Sequence, residues 1–184
     1  MNIQITGASG SGKTFLGKEL AKVLKCNFVD TDDILWVWQE DIQPYTIPIS
    51  DEDSKDTLKK ILANNTSTVA SGLFYPWSED LIPMFDLLII VETNVKIRKK
   101  RIIDREFKMY GNRFKKGGDM YEQFNKYLNW ALKYDILDDP LGSKKETDKW
   151  AARFTCDVLY IDGNKNIDKK IRIVLKKIQE LISK

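Results

Sequence analysis

Hydrophobic and polar positions in this chain switch repeatedly between a period of two and a period of three to four. Ile3 and Ile5 alternate within Asn2 to Thr6, and the run stops at Gly7, the pattern of a strand entering a glycine turn. From Lys13 to Lys25 the apolar positions Leu16, Leu20, Val23 and Leu24 fall at helical spacing. Asn27 to Asp30 is a short second strand, and Val69 to Ser71 a third, stopped by Gly72 and then Pro76. Asp86 to Glu92 holds a continuous aliphatic run, which predicts a strand buried on both faces. A basic helix begins near Val95, and Val158 to Ile161 is the last strand, ended by Asp162-Gly163-Asn164. Ile167, Ile171, Val174, Leu175, Ile178 and Ile182 then form one helical stripe.

Strands that alternate with helices predict an α/β fold built on a parallel sheet with right-handed crossovers. Two stretches are longer than a crossover needs, residues 31–66 and 107–154. The second predicts a helix from about Met120 to Leu137, with Phe124, Tyr127, Leu128, Ala131 and Tyr134 along one side. Asp119 with Glu122, and Ser143 with Glu146, have capping-box spacing and read as helix starts. No repeat, low-complexity tract or flexible linker divides the chain, so residues 1–184 read as a single domain. The long stretches read as an acceptor-binding insertion (31–66) and a helical lid (107–154).

Gly7-Ala8-Ser9-Gly10-Ser11-Gly12-Lys13-Thr14 matches G-x-x-x-x-G-K-[ST] and lies where a strand passes into a helix. Glycines let the backbone curl so that its N–H groups point inward at phosphate oxygens. The helix that follows presents its positive N-terminus. Lys13 is placed to reach the β- and γ-phosphates and the Thr14 hydroxyl to bind magnesium, so the expected ligands are ATP and magnesium.

Asp30-Thr31-Asp32-Asp33 sits at the C-terminal end of the second strand, the edge at which ligands gather in an open parallel sheet. There Asp30 is expected to hold a magnesium-bound water and Asp32 to accept a proton from an attacking hydroxyl. The competing use of these residues is a helix cap with acidic first-turn side chains. Arg98, Arg101 and Arg105 share one helix face. Arg101 and Arg105 are the better candidates for stabilising charge on a transferring phosphoryl group, because a guanidinium binds two oxygens at once. The alternative is a solvated basic face with Lys96, Lys99 and Lys100. Arg113, Lys115 and Lys116 lie in a glycine-containing turn, either swinging in with a lid or simply wet.

Composition narrows the chemistry. The formal charge is only +3, from 30 basic and 27 acidic residues, so a nucleic-acid partner is not expected. There is no histidine, which removes histidine triads and histidine-bound zinc. Cys26 and Cys156 fit no metal-ligand spacing and read as buried free thiols. No apolar run is long enough to span a bilayer and no secretory leader is evident, so a cytoplasmic protein without a membrane partner is the default. Trp36, Trp38 and Tyr45 either stack on an acceptor ring or pack the insertion onto the core; Trp77, Trp130 and Trp150 read as core or lid packing.

These features together resemble the adenylate-kinase-like superfamily, which includes nucleoside monophosphate, shikimate and gluconate kinases. Ile3 to Thr14 resembles their strand and phosphate loop, and Val29-Asp30-Thr31-Asp32 the D-x-D of shikimate kinases. Arg101-Ile-Ile-Asp-Arg105 resembles the R-x-x-x-R of adenylate kinases, and Ile161-Asp162-Gly163-Asn164 their I-D-G-T turn. Residues 117–122, Gly-Gly-Asp-Met-Tyr-Glu, resemble small P-loop kinases labelled DNA-topology-modulation-like. The resemblance implies a three-layer α/β fold with a five-stranded parallel sheet in the order 2-3-1-4-5. It also implies phosphate contacts for both arginines and an adenine beside Asn164. The chain departs from adenylate kinases in having Ser71 where they have aspartate and no arginine before Arg98; Asp138, Asp139 and Arg153 match their post-lid residues poorly.

The function expected is ATP-dependent phosphorylation of a small acceptor, with a nucleotide-switched binding module as the alternative. A nucleic-acid-acting ATPase fits the near-neutral charge badly. The acceptor is not expected to be AMP gripped in the adenylate kinase manner. A nucleoside or an amino-sugar-like compound suits the acidic, aromatic first insertion better. Lys13→Ala should weaken nucleotide binding in calorimetry and abolish ADP release, since it removes the lysine from the phosphate cradle.

Overall fold

The computed structural model describes residues 1–39, 45–73, 76–138 and 142–183; Asp139, and Glu40 and Asp41 of the acidic first insertion, lie outside them. Five strands, β1 (Asn2–Thr6), β2 (Asn27–Asp30), β3 (Thr68–Ser71), β4 (Leu87–Glu92) and β5 (Asp157–Asp162), form one sheet. They pair in the order β2-β3-β1-β4-β5. Each neighbouring pair is parallel, with Ile3 opposite both Val69 and Leu87. The order brings the C-terminal ends of β1, β2 and β3 together on one edge, with the loop after β1 at the centre.

The aliphatic run of β4 divides its side chains between two cores, as its pattern predicts. Leu87, Ile89 and Val91 join Ile3, Ile5 and Val69 against α1 (Lys13–Leu24) and α7 (Ile167–Ile182), through Leu16, Leu20, Val174 and Ile178. Leu88 and Ile90 point the other way. They meet Leu58 and Leu62 of α3 (Asp51–Asn64), Leu81 and Ile82 of a 3-10 segment (Pro76–Met84), and Trp150 of α6 (Lys144–Ala151). Helices therefore cover both faces, the three-layer arrangement expected. Fully burying each such aliphatic side chain contributes about 1.5–3 kcal/mol.

The remaining helices lie in or beside the two long stretches. Residues 31–66 contain a single turn, α2 (Asp32–Leu35), and α3, whose N-cap Ser50 accepts from the Asp53 N–H at 3.1 Å. The basic helix α4 runs Val95–Tyr110 and is capped by Asn94. α5 (Tyr121–Leu132) is shorter at both ends than the pattern suggests. Asp119 does not cap it: its carboxylate takes both Nε and Nη2 of Arg113, at 3.1 and 2.6 Å, and Met120 occupies the cap position without a side-chain bond. An arginine six residues upstream thus outcompetes the local capping pattern. Ser143 does cap α6, accepting from the Glu146 N–H at 3.2 Å. Both cysteines are free and half-buried, and burial pushes both thiols up. Among the described residues no helix is long and apolar enough to cross a membrane.

The two capping patterns predict opposite results. Ser143→Ala should cost about 1 kcal/mol in urea unfolding, an ordinary cap value. Asp119→Ala should leave the midpoint measurably unchanged, because it removes only an exposed pair.

Candidate active site

The phosphate loop is shaped by what surrounds it. The Ser11 N–H donates to the Ala8 carbonyl at 3.0 Å, closing the turn ahead of α1. Gly10 has φ 76°, and a Cβ there would lie 2.7 Å from the Arg98 carbonyl oxygen, so α4 packs against the loop where only glycine fits. The Ser11 carbonyl accepts from Thr93 Oγ1 and from Arg101 Nη1, each at 3.0 Å. Arg101 Nη2 reaches on to the Gly163 carbonyl at 3.0 Å. Arg101 therefore ties the loop to the turn after β5. In that turn Asn164 donates its backbone N–H to the Asp162 carboxylate at 2.9 Å.

The acidic turn after β2 is pinned to β3. Thr31 donates to the Ser71 carbonyl through its N–H at 2.8 Å and its hydroxyl at 3.2 Å. A Cβ on Gly72 would stand 1.5 Å from Thr31 Oγ1, so this approach requires glycine. Asp30 Oδ1 accepts from the Asp32 N–H at 3.3 Å, a local capping contact at the start of α2. Burial pushes the Asp32 carboxyl above the usual range; Lys13 and Arg105 pull it back, while Asp30 pushes it further up. Asp33 is raised by burial and by Asp30, with Lys18 opposing, and does not line the cavity described next.

Ser9, Lys13, Thr14, Asp32 and Arg105 line one cavity of about 410 Å³. Ser9 comes from the loop after β1, Lys13 and Thr14 from the start of α1, Asp32 from the start of α2 and Arg105 from α4. Its guanidinium bonds Glu106 through Nε at 3.0 Å and Nη2 at 2.7 Å, and the Tyr127 hydroxyl at 3.1 Å. Burial works against the Arg105 charge, but Tyr127 and Glu106 hold it firmly protonated. Ala8 and Asn164 face a neighbouring cavity of about 430 Å³, so the loop stands between the two spaces. Arg98 is 1% exposed and borders this second cavity, not the first: it pairs with Asp135, donates to the Ala131 carbonyl and lies over the Tyr134 ring. Arg113 is taken by Asp119, and Lys115 lies 4.8 Å from the Phe107 ring centroid, both on an exposed turn.

Several cavity residues escape the sequence reading. Glu106 carried a signal, since it follows Arg105 directly and neutralises it. Tyr127 lies on the predicted stripe of α5, but that stripe reads as packing rather than as a hydroxyl aimed at an arginine. Trp130, read as packing, also lines the cavity. Leu73 and Lys126 had no sequence signal.

This loop, acidic turn and arginine on a 2-3-1-4-5 sheet define a small P-loop kinase of the adenylate-kinase-like type, a phosphotransferase. The shikimate kinase family profile matches residues 9–44, the phosphate loop through the acidic turn. Over nearly its whole length the chain belongs to the family of the Bacillus subtilis protein "Uncharacterized protein YqaC", with which it is 33% identical over 174 residues, 95% of each chain. It is also 44% identical over 59 residues to a gluconokinase of Arabidopsis thaliana, 32% of this chain and 31% of that one. Among solved structures, a shikimate kinase from Bacteroides thetaiotaomicron shares the fold with a TM-score of 0.57 at 16% identity, covering 100% of this chain and 99% of the other. A gluconokinase from Sinorhizobium meliloti does so with a TM-score of 0.55 at 19% identity, covering 98% and 92%.

The raised Asp32 carboxyl has a stability consequence. In the unfolded chain it titrates at its ordinary value of about 3.9. Between that value and its raised folded value, the native state holds a proton that the unfolded state has lost. Its contribution to stability therefore falls as pH rises through that window and is constant above it. Asp32→Asn should abolish this slope and unfold at higher urea than the parent at neutral pH, with the difference shrinking toward pH 4.

Proposed function

We propose that the chain transfers the γ-phosphoryl group of ATP to a hydroxyl of a small acceptor. The observation that carries this is the convergence of Lys13, Thr14, Asp32 and Arg105 on one cavity. The kinase names of the relatives support the same reaction class.

In this reading the amides of residues 7–14 and Lys13 orient the phosphates, and Ala8 and Asn164 face the neighbouring space that takes the nucleoside half. Magnesium would be held by the Thr14 hydroxyl and, through water, by Asp30, and would supply charge neutralisation. That donor set fits an ion that keeps waters and phosphate oxygens; no cluster of three acidic, histidine or cysteine ligands exists among the described residues. The acceptor oxygen attacks the γ-phosphorus, the bond to the β,γ-bridging oxygen breaks, and ADP leaves with that electron pair. Asp32 takes the hydroxyl proton and releases it to water. Its raised affinity for a proton suits that task. Arg105 meets the transferring charge directly. Arg101 adds its charge from behind the loop whose carbonyls it holds. Residues 107–154 act as the lid and 31–66 as the acceptor-binding insertion, both contributing walls to the cavity.

Asp32→Asn should leave ATP affinity within about twofold of the parent while cutting acceptor-dependent ADP release by about 10²–10⁴-fold. Single-turnover measurement with an acceptor drawn from nucleosides, sugars and hydroxy acids checks it. Full activity in the folded variant would return Asp32 to a helix-start role.

A further inference from the structure

Two segments distant in sequence bring aromatic rings to the cavity that holds Asp32. Residues 31–66 contribute Trp36 and Tyr45, and residues 107–154 contribute Phe114, Phe124, Tyr127 and Trp130. The rings are organised into contacts. Trp36 meets Tyr45 edge to face, with centroids 5.9 Å apart and planes at 79°. Phe114 and Phe124 lie 4.7 Å apart, and Tyr127 and Trp130 6.3 Å apart with planes 33° from parallel. Rings of both segments line this one cavity, so the two segments face each other across it. Tyr110 and Gln123 line the cavity too, so the wall offers π-faces and edges together with neutral hydroxyl and amide groups.

The charges decide the rest. Arg105 is already engaged by Glu106 and Tyr127. Lys13 is assigned to the phosphates of ATP. The third lining cation, Lys126, is exposed at the surface of α5. Residues 31–66 contain no arginine at all. A carboxylate or phosphate on the acceptor would meet an Arg105 whose charge Glu106 already tempers and, beyond it, only Lys126 at the cavity's exposed side. A ring with a neutral hydroxyl needs neither cation.

We infer that the acceptor is an uncharged compound with a planar aromatic or heteroaromatic ring and an alcohol, nucleoside-like in shape, and not a sugar acid, hydroxy acid or phosphomonoester. This rests on the phosphoryl transfer proposed above. The ring packs against the aromatic lining and delivers its hydroxyl to Asp32. Trp36 sets specificity for the ring.

Binding and turnover are measured separately on the whole protein. Tryptophan fluorescence, with a non-hydrolysable ATP analogue and magnesium present, is titrated with adenosine, guanosine, cytidine and thymidine, their monophosphates, gluconate and shikimate. ADP release with ATP is followed for the same set. At least one nucleoside should bind, and its kcat/KM should exceed that of its monophosphate and of both acids by tenfold or more. Trp36→Leu should raise KM for that nucleoside about tenfold with kcat little changed, as expected for one lost stacking contact. Trp36→Phe should restore it, whereas a purely structural role would move kcat and fold stability together. Nucleoside binding without turnover of any acceptor would keep the ring inference and remove the kinase reading. Turnover of an acid or monophosphate above every nucleoside would keep the kinase and overturn the ring. Absence of nucleoside binding at millimolar concentration overturns it as well.

Discussion

A backbone that turns its N–H groups inward to meet phosphate must turn carbonyls outward, and those carbonyls need partners. In this protein the Ser11 carbonyl carries that requirement. It receives Thr93 from the end of β4 and Arg101 from α4 at equal distances. Arg101 continues to Gly163, so one guanidinium joins the phosphate loop, the helix that follows β4 and the turn after β5. Gly163 can approach only because it lacks a side chain, since a Cβ would lie 1.9 Å from Thr93 Oγ1. The loop is thereby held in shape by protein contacts, and its cost in ordering is met before nucleotide arrives.

In front of the loop the governing constraint is electrostatic. One partly buried carboxylate, Asp32, sits in the field of Lys13 and Arg105. Its own backbone N–H is taken by Asp30, so capping and chemistry are served by neighbouring side chains. The two readings of the acidic turn are therefore not exclusive. Glu106 and Tyr127 position Arg105, and Glu106 also tempers it, so that the lining sets three cations, Lys13, Arg105 and the exposed Lys126, against the carboxylates Asp32 and Glu106. The aromatic lining makes that balance matter, because a desolvated surface penalises any unpaired charge an acceptor brings.

The pattern of likeness follows the same division. The shikimate kinase profile covers only the loop and acidic turn, residues 9–44, where phosphate chemistry restricts the residues that can serve. The solved kinases share the fold over nearly the whole chain at below 20% identity, because a doubly covered parallel sheet accepts many apolar combinations.

Much of the molecule was legible in the linear pattern. Period-two and period-3.6 runs located all five strands and the helices α1, α4 and α7, because buried faces impose those periods locally. The glycine-lysine loop announced a P-loop kinase, since few other residue patterns can cradle phosphate at that spacing. Tertiary structure alone decided the partners. Arg101 finds Ser11 ninety residues away, and Arg98, on the same helical face, turns instead to Asp135. Asp119, spaced as a cap, is claimed by Arg113. Tyr127 becomes a neighbour of Arg105 only when α5 packs on α4. Periodicity reports which face of an element is buried; which side chain meets which across that face depends on packing between elements far apart in the chain, and no local pattern encodes it.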